Sequence, residues 1–111
     1  MTDKPWKAFE REVGELIGGK RHWANSGESV DCESERFVVQ CKHVKSMSLS
    51  ALTKLAMQAE ADGAIRNKYG GVAVKLRDGR GRWTPTLMVM TDHQFSKLLK
   101  DAGMALGLEG E

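Results

Sequence analysis

Ser29 to Lys45, SVDCESERFVVQCKHVK, is the stretch on which the fold of this chain turns. Two short runs suited to β-strands flank a polar turn at Glu33, Ser34 and Glu35, the pattern of a β-hairpin. In the second run, Arg36 to Lys42, side chains alternate between faces. Phe37, Val39 and Cys41 point one way, and Val38, Gln40 and Lys42 the other. An amide oxygen and an ammonium therefore share a face. Asp31 lies on the preceding run, where antiparallel pairing sets its carboxylate opposite Gln40, at the roughly 5 Å typical of cross-strand neighbours. Hard oxygen ligands around an open position suit Mg²⁺ or Mn²⁺ shared with a substrate phosphate, and a lysine beside them can orient or deprotonate the attacking water. Those are the parts needed to hydrolyse a phosphodiester.

Upstream, Pro5 and WKAFEREVGELI read as an amphipathic helix ended by Gly18-Gly19. At about 100° per residue, Trp6, Phe9, Val13, Leu16 and Ile17 share one face and Glu10 falls on its border, where a carboxylate can lean over the rim of the core. A short first strand is expected around Arg21 to Ala24, followed by the loop NSGE. Arg21 and Ser26 are candidate phosphate contacts there, or else a surface cation and a turn-forming serine.

Downstream, Ser48 is a candidate N-cap for the helix LSALTKLAMQAEADGAIRNK. Its stripe of Leu49, Leu52, Ala56, Ala59 and Gly63 reads as core, with small residues allowing close approach to a sheet. Lys54, Arg66 and Lys68 can face nucleic acid, as can Lys45 just past the hairpin; Gln58 has no role legible in the pattern. Tyr69-Gly70-Gly71 leads into GVAVKLR, a buried strand by its β-branched content, and TLMVM is another. The loop between them places Arg77, Arg80 and Arg82 around Gly79, Gly81 and Trp83. It reads either as a basic arm whose aromatic stacks on a base, or as a solvated hairpin with Trp83 packed back on the sheet. Thr91 or Asp92 should cap a last helix, HQFSKLLKDAG, with Phe95, Leu98 and Leu99 facing inward.

At 111 residues one domain spanning residues 1–111 is expected. No apolar run approaches the ~20 residues that cross a membrane, and the N-terminus has no signal-peptide pattern, so a cytoplasmic protein without a membrane partner is expected. In a reducing compartment Cys32 and Cys41 read as free thiols, and their spacing with His22 and His43 fits no common zinc pattern. The net charge of +2 conceals an asymmetry: from Arg36 to Arg82 there are ten Lys and Arg against Glu60, Asp62 and Asp78. A basic segment in and after the hairpin suits a polyanion, or a solvated surface.

Asp31 followed by Gln40-Cys41-Lys42 after a short hairpin, with Glu10 on an upstream helix, resembles the core of the PD-(D/E)xK nuclease superfamily. Within it, FEREVGELIGGKR followed by NSGESVD is similar to Holliday-junction resolvases of the archaeal and phage type, which carry a helix with a Glu-Arg pair, a Ser-Gly region and then the aspartate. The Gln-x-Lys form is similar to Mrr-type restriction endonucleases. The resemblance runs from Trp6 to Val74 and departs from the family at Val30, in place of proline, and at Gln40, in place of an acid.

It implies an α/β fold with a restriction-endonuclease-like core, a central mixed sheet of about five strands flanked by helices. It further implies a Mg²⁺- or Mn²⁺-dependent endodeoxyribonuclease. Asp31, Gln40, Glu10 and the backbone carbonyl of Cys41 would be metal ligands, and Lys42 would position the water. Branched DNA is the implied substrate, with Arg21, Ser26, Lys45, Lys54, Arg66, Lys68, Arg80, Arg82 and Trp83 as candidate contacts. Symmetric cutting of a four-way junction implies a homodimer. Alternatives are an Mrr-like restriction or repair nuclease on duplex DNA, and a non-catalytic DNA-binding protein that keeps the fold.

Overall fold

The computed structural model describes residues 5 to 21 and 30 to 103. Helix α1 (Pro5–Leu16) is followed by strands β1 (Lys20–Arg21), β2 (Cys32–Glu33) and β3 (Phe37–Val44), helix α2 (Leu49–Ile65), strands β4 (Tyr69–Leu76) and β5 (Thr86–Val89), and helix α3 (Asp92–Asp101). The strands form one mixed sheet in the order β1-β2-β3-β4-β5. β2 runs antiparallel to β1 and to β3, β4 is parallel to β3 across the α2 connection, and β5 is antiparallel to β4. The result is an α/β fold with helices on both faces of a mixed sheet.

Two apolar clusters lie on opposite faces. On one, Phe9 and Val13 of α1 meet Cys32, Val39 and Ala73, with Ile17, Phe37 and Cys41 at the margin. On the other, Ala56 and Ala59 of α2 meet Val72 and Val74, with Val44, Leu52, Leu55 and Val89 around them. The helix ends follow local chemistry: Gly18 takes φ +76° just past α1, and the Ser48 hydroxyl accepts from Ala51 N at the start of α2.

The small stripe of α2 is used as the sequence suggests. A Cβ on Gly70 would overlap the carbonyl of Ala59, so helix and strand are in backbone contact there. Leu49 departs from expectation: it is 79% exposed, because the first turn of α2 projects beyond the sheet and the buried stripe begins only at Leu52. Gln58 finds its role locally, donating through Nε2 to Asp62 Oδ1 at 3.1 Å.

The last helix is rotated from the expected orientation. Gln94, not Phe95, is its buried residue, because Gln94 Oε1 accepts from Gly70 N at 3.0 Å and fixes which side of α3 meets β4. Asp101 lies on that side, accepting from the Tyr69 hydroxyl at 2.6 Å, while Phe95 is left 51% exposed. Leu98 and Leu99 are half-buried.

The base of α3 is held to α2 by Glu60, whose carboxylate accepts from the Thr91 hydroxyl and lies 2.6 Å from His93 Nδ1. The same Thr91 oxygen caps the helix, accepting from Gln94 N at 3.0 Å. The Thr91 and His93 hydrogen bonds hold the Glu60 pKa below its ordinary value against a smaller opposing effect of burial. A depressed folded-state pKa means a contribution that is complete above the ordinary carboxylate pKa and lost as pH falls through the folded value. Glu60→Gln is therefore expected to flatten the acid limb of stability, read as melting temperature from pH 6 down to pH 3; an unchanged limb would remove Glu60 from that role.

Candidate functional site

The hairpin of β2 and β3 places the candidate residues. Cys32 pairs with Val39 and Glu33 with Val38, so one step further Asp31 comes opposite Gln40. There the regular ladder stops. Ser34 N donates to Phe37 O, and bonded pairs in an antiparallel ladder recur at every second residue, which would give Cys41 N to the carbonyl of Val30. Instead Cys41 N donates to Asp31 Oδ2 at 2.8 Å, and Asp31 N takes Val39 O at 3.2 Å. A side-chain carboxylate thus stands where a main-chain acceptor would have been. The strand turns away from β3 at the aspartate, leaving the second carboxylate oxygen without a partner among the described residues.

Gln40 and Lys42 share one face of β3. Phe37, Val39 and Cys41 pack toward α1, whereas Val44, in phase with Gln40 and Lys42, meets Leu52 and Leu55 of α2. Both residues are half-buried. Lys42 has no hydrogen-bond or ion-pair partner among the described residues.

Glu10 reaches this region from the other side of the sheet. Its backbone carbonyl accepts from Cys32 Sγ at 3.1 Å, and its side chain is half-buried on α1. The Cys41 thiol is pushed far up from its ordinary pKa, first by its hydrogen bond with Cys32 (Sγ to Sγ 3.8 Å), then by burial, and then by electrostatic interaction with Cys32, Asp31 and Glu10. Two carboxylates therefore bracket Cys41, and both thiols are free, as the sequence suggests. No three His, Cys, Asp or Glu side chains gather into a metal-holding group among the described residues. The register sets Asp31 opposite Gln40, and Gln40 shares its face of β3 with Lys42.

The expected nucleic-acid contacts divide into three groups. Lys45, Lys54, Arg80, Arg82 and Trp83 are exposed, Trp83 to 81%, so the aromatic does not pack back on the sheet. Arg82 Nε lies 3.8 Å from Asp78 Oδ2. Arg66 and Lys68 differ from expectation: Arg66 Nη1 pairs with Glu33 Oε1 at 2.9 Å, and Lys68 Nζ binds Glu33 Oε2 and the Ser34 carbonyl. They brace the hairpin tip instead of standing free, because β4 begins beside that tip. The side chain of Arg21, and Ser26 and His22 entirely, lie outside the described residues.

Sequence reasoning passed over Glu33 as a mere turn residue; its pairing with cations 33 and 35 positions away leaves no local signal. A polar cleft lined by Arg36, Asn67, Tyr69 and Lys97 lies at the opposite end of β3 from Lys42, and its Lys97 is paired with Asp101.

Compared with protein-family models, curated proteins and solved structures, the chain matches none. No helix among the described residues is long and apolar enough to cross a membrane.

Proposed function

We propose that this chain is a divalent-metal-dependent DNA endonuclease of the PD-(D/E)xK type, acting on branched DNA as a homodimer. The observation that carries the reading is the break in the hairpin ladder at Asp31, whose carboxylate accepts from Cys41 N at the position opposite Gln40, on the strand that also bears Lys42. The succession of α1, an antiparallel meander, the α2 crossover, parallel β4 and antiparallel β5 supports a restriction-endonuclease-like core with five strands.

The donor set fits Mg²⁺ or Mn²⁺ in kind. Asp31 offers its second carboxylate oxygen, Gln40 an amide oxygen and Cys41 a carbonyl, with Glu10 on the α1 side of the sheet, while the thiol of Cys41 is kept protonated and offers no thiolate. The ion would supply Lewis-acid polarisation of the phosphate and a lowered pKa for the attacking water. Lys42, half-buried and without an internal partner, would orient that water and offset charge developing on the phosphoryl oxygens. Asp31, tied to Cys41 N, holds the two strands at the separation the site needs. Cutting a four-way junction on two strands requires two such sites, which a two-fold dimer provides.

Gln40 favours one other reading. An amide in place of an acid removes a negative charge from the donor set, as in a DNA-binding protein that keeps the fold without the chemistry. Incubating the protein with a labelled four-way junction and a linear duplex, under Mg²⁺ and under Mn²⁺, separates the readings. Junction cutting alone is expected. Cutting of both substrates would point to the Mrr-like restriction or repair enzyme, and binding without cutting under either metal would sink the nuclease assignment.

A further inference from the structure

We infer that the nucleic acid crosses the C-terminal edge of β3 and β4 on the side covered by α1, where Lys75 and Arg77 hold its phosphates beside His43. The identity of the partner rests on the nucleic-acid reading above. In the parallel ladder His43 is the register partner of Lys75, and Arg77 N donates to Val44 O at 2.7 Å, carrying the ladder beyond the strand end. Lys75 and Arg77, two residues apart, therefore project to the same face as His43. On that face the His43 ring lies against Phe9 of α1, with centroids 5.5 Å apart. The register sets Lys75 beside His43 and Arg77 one step further along the same face.

Like charges side by side repel one another, and an anion that binds them relieves that repulsion. Neither Lys75, Arg77 nor Lys45 has an ion-pair partner among the described residues. The cations at the end of α2 are placed differently, since Arg66 and Lys68 share the carboxylate of Glu33. Lys75 and Arg77 thus form a row of cations without ion-pair partners among the described residues along one rim of the sheet. Lys42 is the residue before His43, with its side chain on the other face, so a strand laid over this rim meets the basic row on one side and the candidate site on the other.

The test is the binding of a fluorescein-labelled four-way junction and a linear duplex, followed by anisotropy in EDTA at several NaCl concentrations so that cleavage plays no part. The double variant Lys75→Ala/Arg77→Ala should weaken binding on the order of tenfold and reduce the slope of log K against log salt by about 2, one per lost phosphate contact. Lys97→Ala/Lys100→Ala, which removes the same formal charge from α3, should change affinity by less than about twofold. Lys75→Gln/Arg77→Gln, retaining side-chain bulk, should reproduce the loss, and melting curves matching the parent would exclude misfolding. Equal weakening by the two alanine pairs, unchanged affinity in either Lys75/Arg77 variant, or a parent that binds neither DNA would overturn the path. If the parent cuts junctions under Mg²⁺ while the Lys75/Arg77 variants bind normally, only the path is lost and the nuclease reading stands.

Discussion

Lys42→Ala is expected to lower the rate of junction cleavage by on the order of 10³-fold or more while leaving junction affinity within about threefold of the parent. The split follows from where the residue sits. Lys42 is half-buried on the face of β3 shared with Gln40, and no internal hydrogen bond or ion pair depends on it among the described residues. Its removal breaks nothing in the fold. What disappears is one positive charge on the face of β3 that Gln40 shares, where charge would develop on the phosphate during attack. Binding instead draws on many cations, so one fewer matters little. Single-turnover cleavage and metal-free anisotropy on the same preparations read the two quantities separately. A parallel loss of both would mean that Lys42 binds DNA without taking part in the chemistry.

The second large effect concerns stability. Gly70→Val should destabilise the chain by about 3 kcal/mol or more, a fall of at least 10 °C or so in melting temperature for a domain of this size. At Gly70 the side-chain direction points into the carbonyl of Ala59, so any Cβ forces α2 away from β4. Moving α2 also pulls Ala56 and Ala59 off Val72 and Val74, opening the cluster on that face. Gly70 N further donates to the buried Gln94, so the same shift loosens α3. Gly79→Val provides the contrast, because a Cβ there meets nothing within 4 Å. Thermal melts of the two variants side by side decide the matter; similar curves would mean that the contact at Ala59 yields more easily than backbone against backbone should.

Much of this arrangement was legible from residue patterns. The alternation FVVQCKHV identified β3 and separated Gln40 and Lys42 from Cys41, since a period of two leaves little choice once one face is buried. The Ser48 and Thr91 caps and the glycines after α1 were readable because their chemistry is local. The turn was misjudged by a residue, with Ser34 to Arg36 outside the strands in place of Glu33 to Glu35, because Glu33 belongs to the ladder through its pairing with Val38. Phe95 and Leu49 were misplaced for a common reason: helical periodicity gives a face but not how far a helix extends over its sheet, nor which polar residue anchors it. A buried glutamine bound to a glycine amide 24 positions away is invisible to any window of sequence. The roles of Arg66 and Lys68 were hidden likewise, because charge in a sequence does not disclose its counter-charge.

The bracing of Glu33 by Arg66 and Lys68 has a consequence for the geometry of Asp31. A slide of β2 along β3 by a single position would invert its outward and inward residues, turning the aspartate toward α1 and leaving Gln40 to face a thiol. Such slippage costs little for a ribbon two residues long. Anchoring its tip to the junction of α2 and β4 indexes the ribbon against the most deeply buried strand, so the alignment on which the aspartate depends is set by residues at the far end of the hairpin.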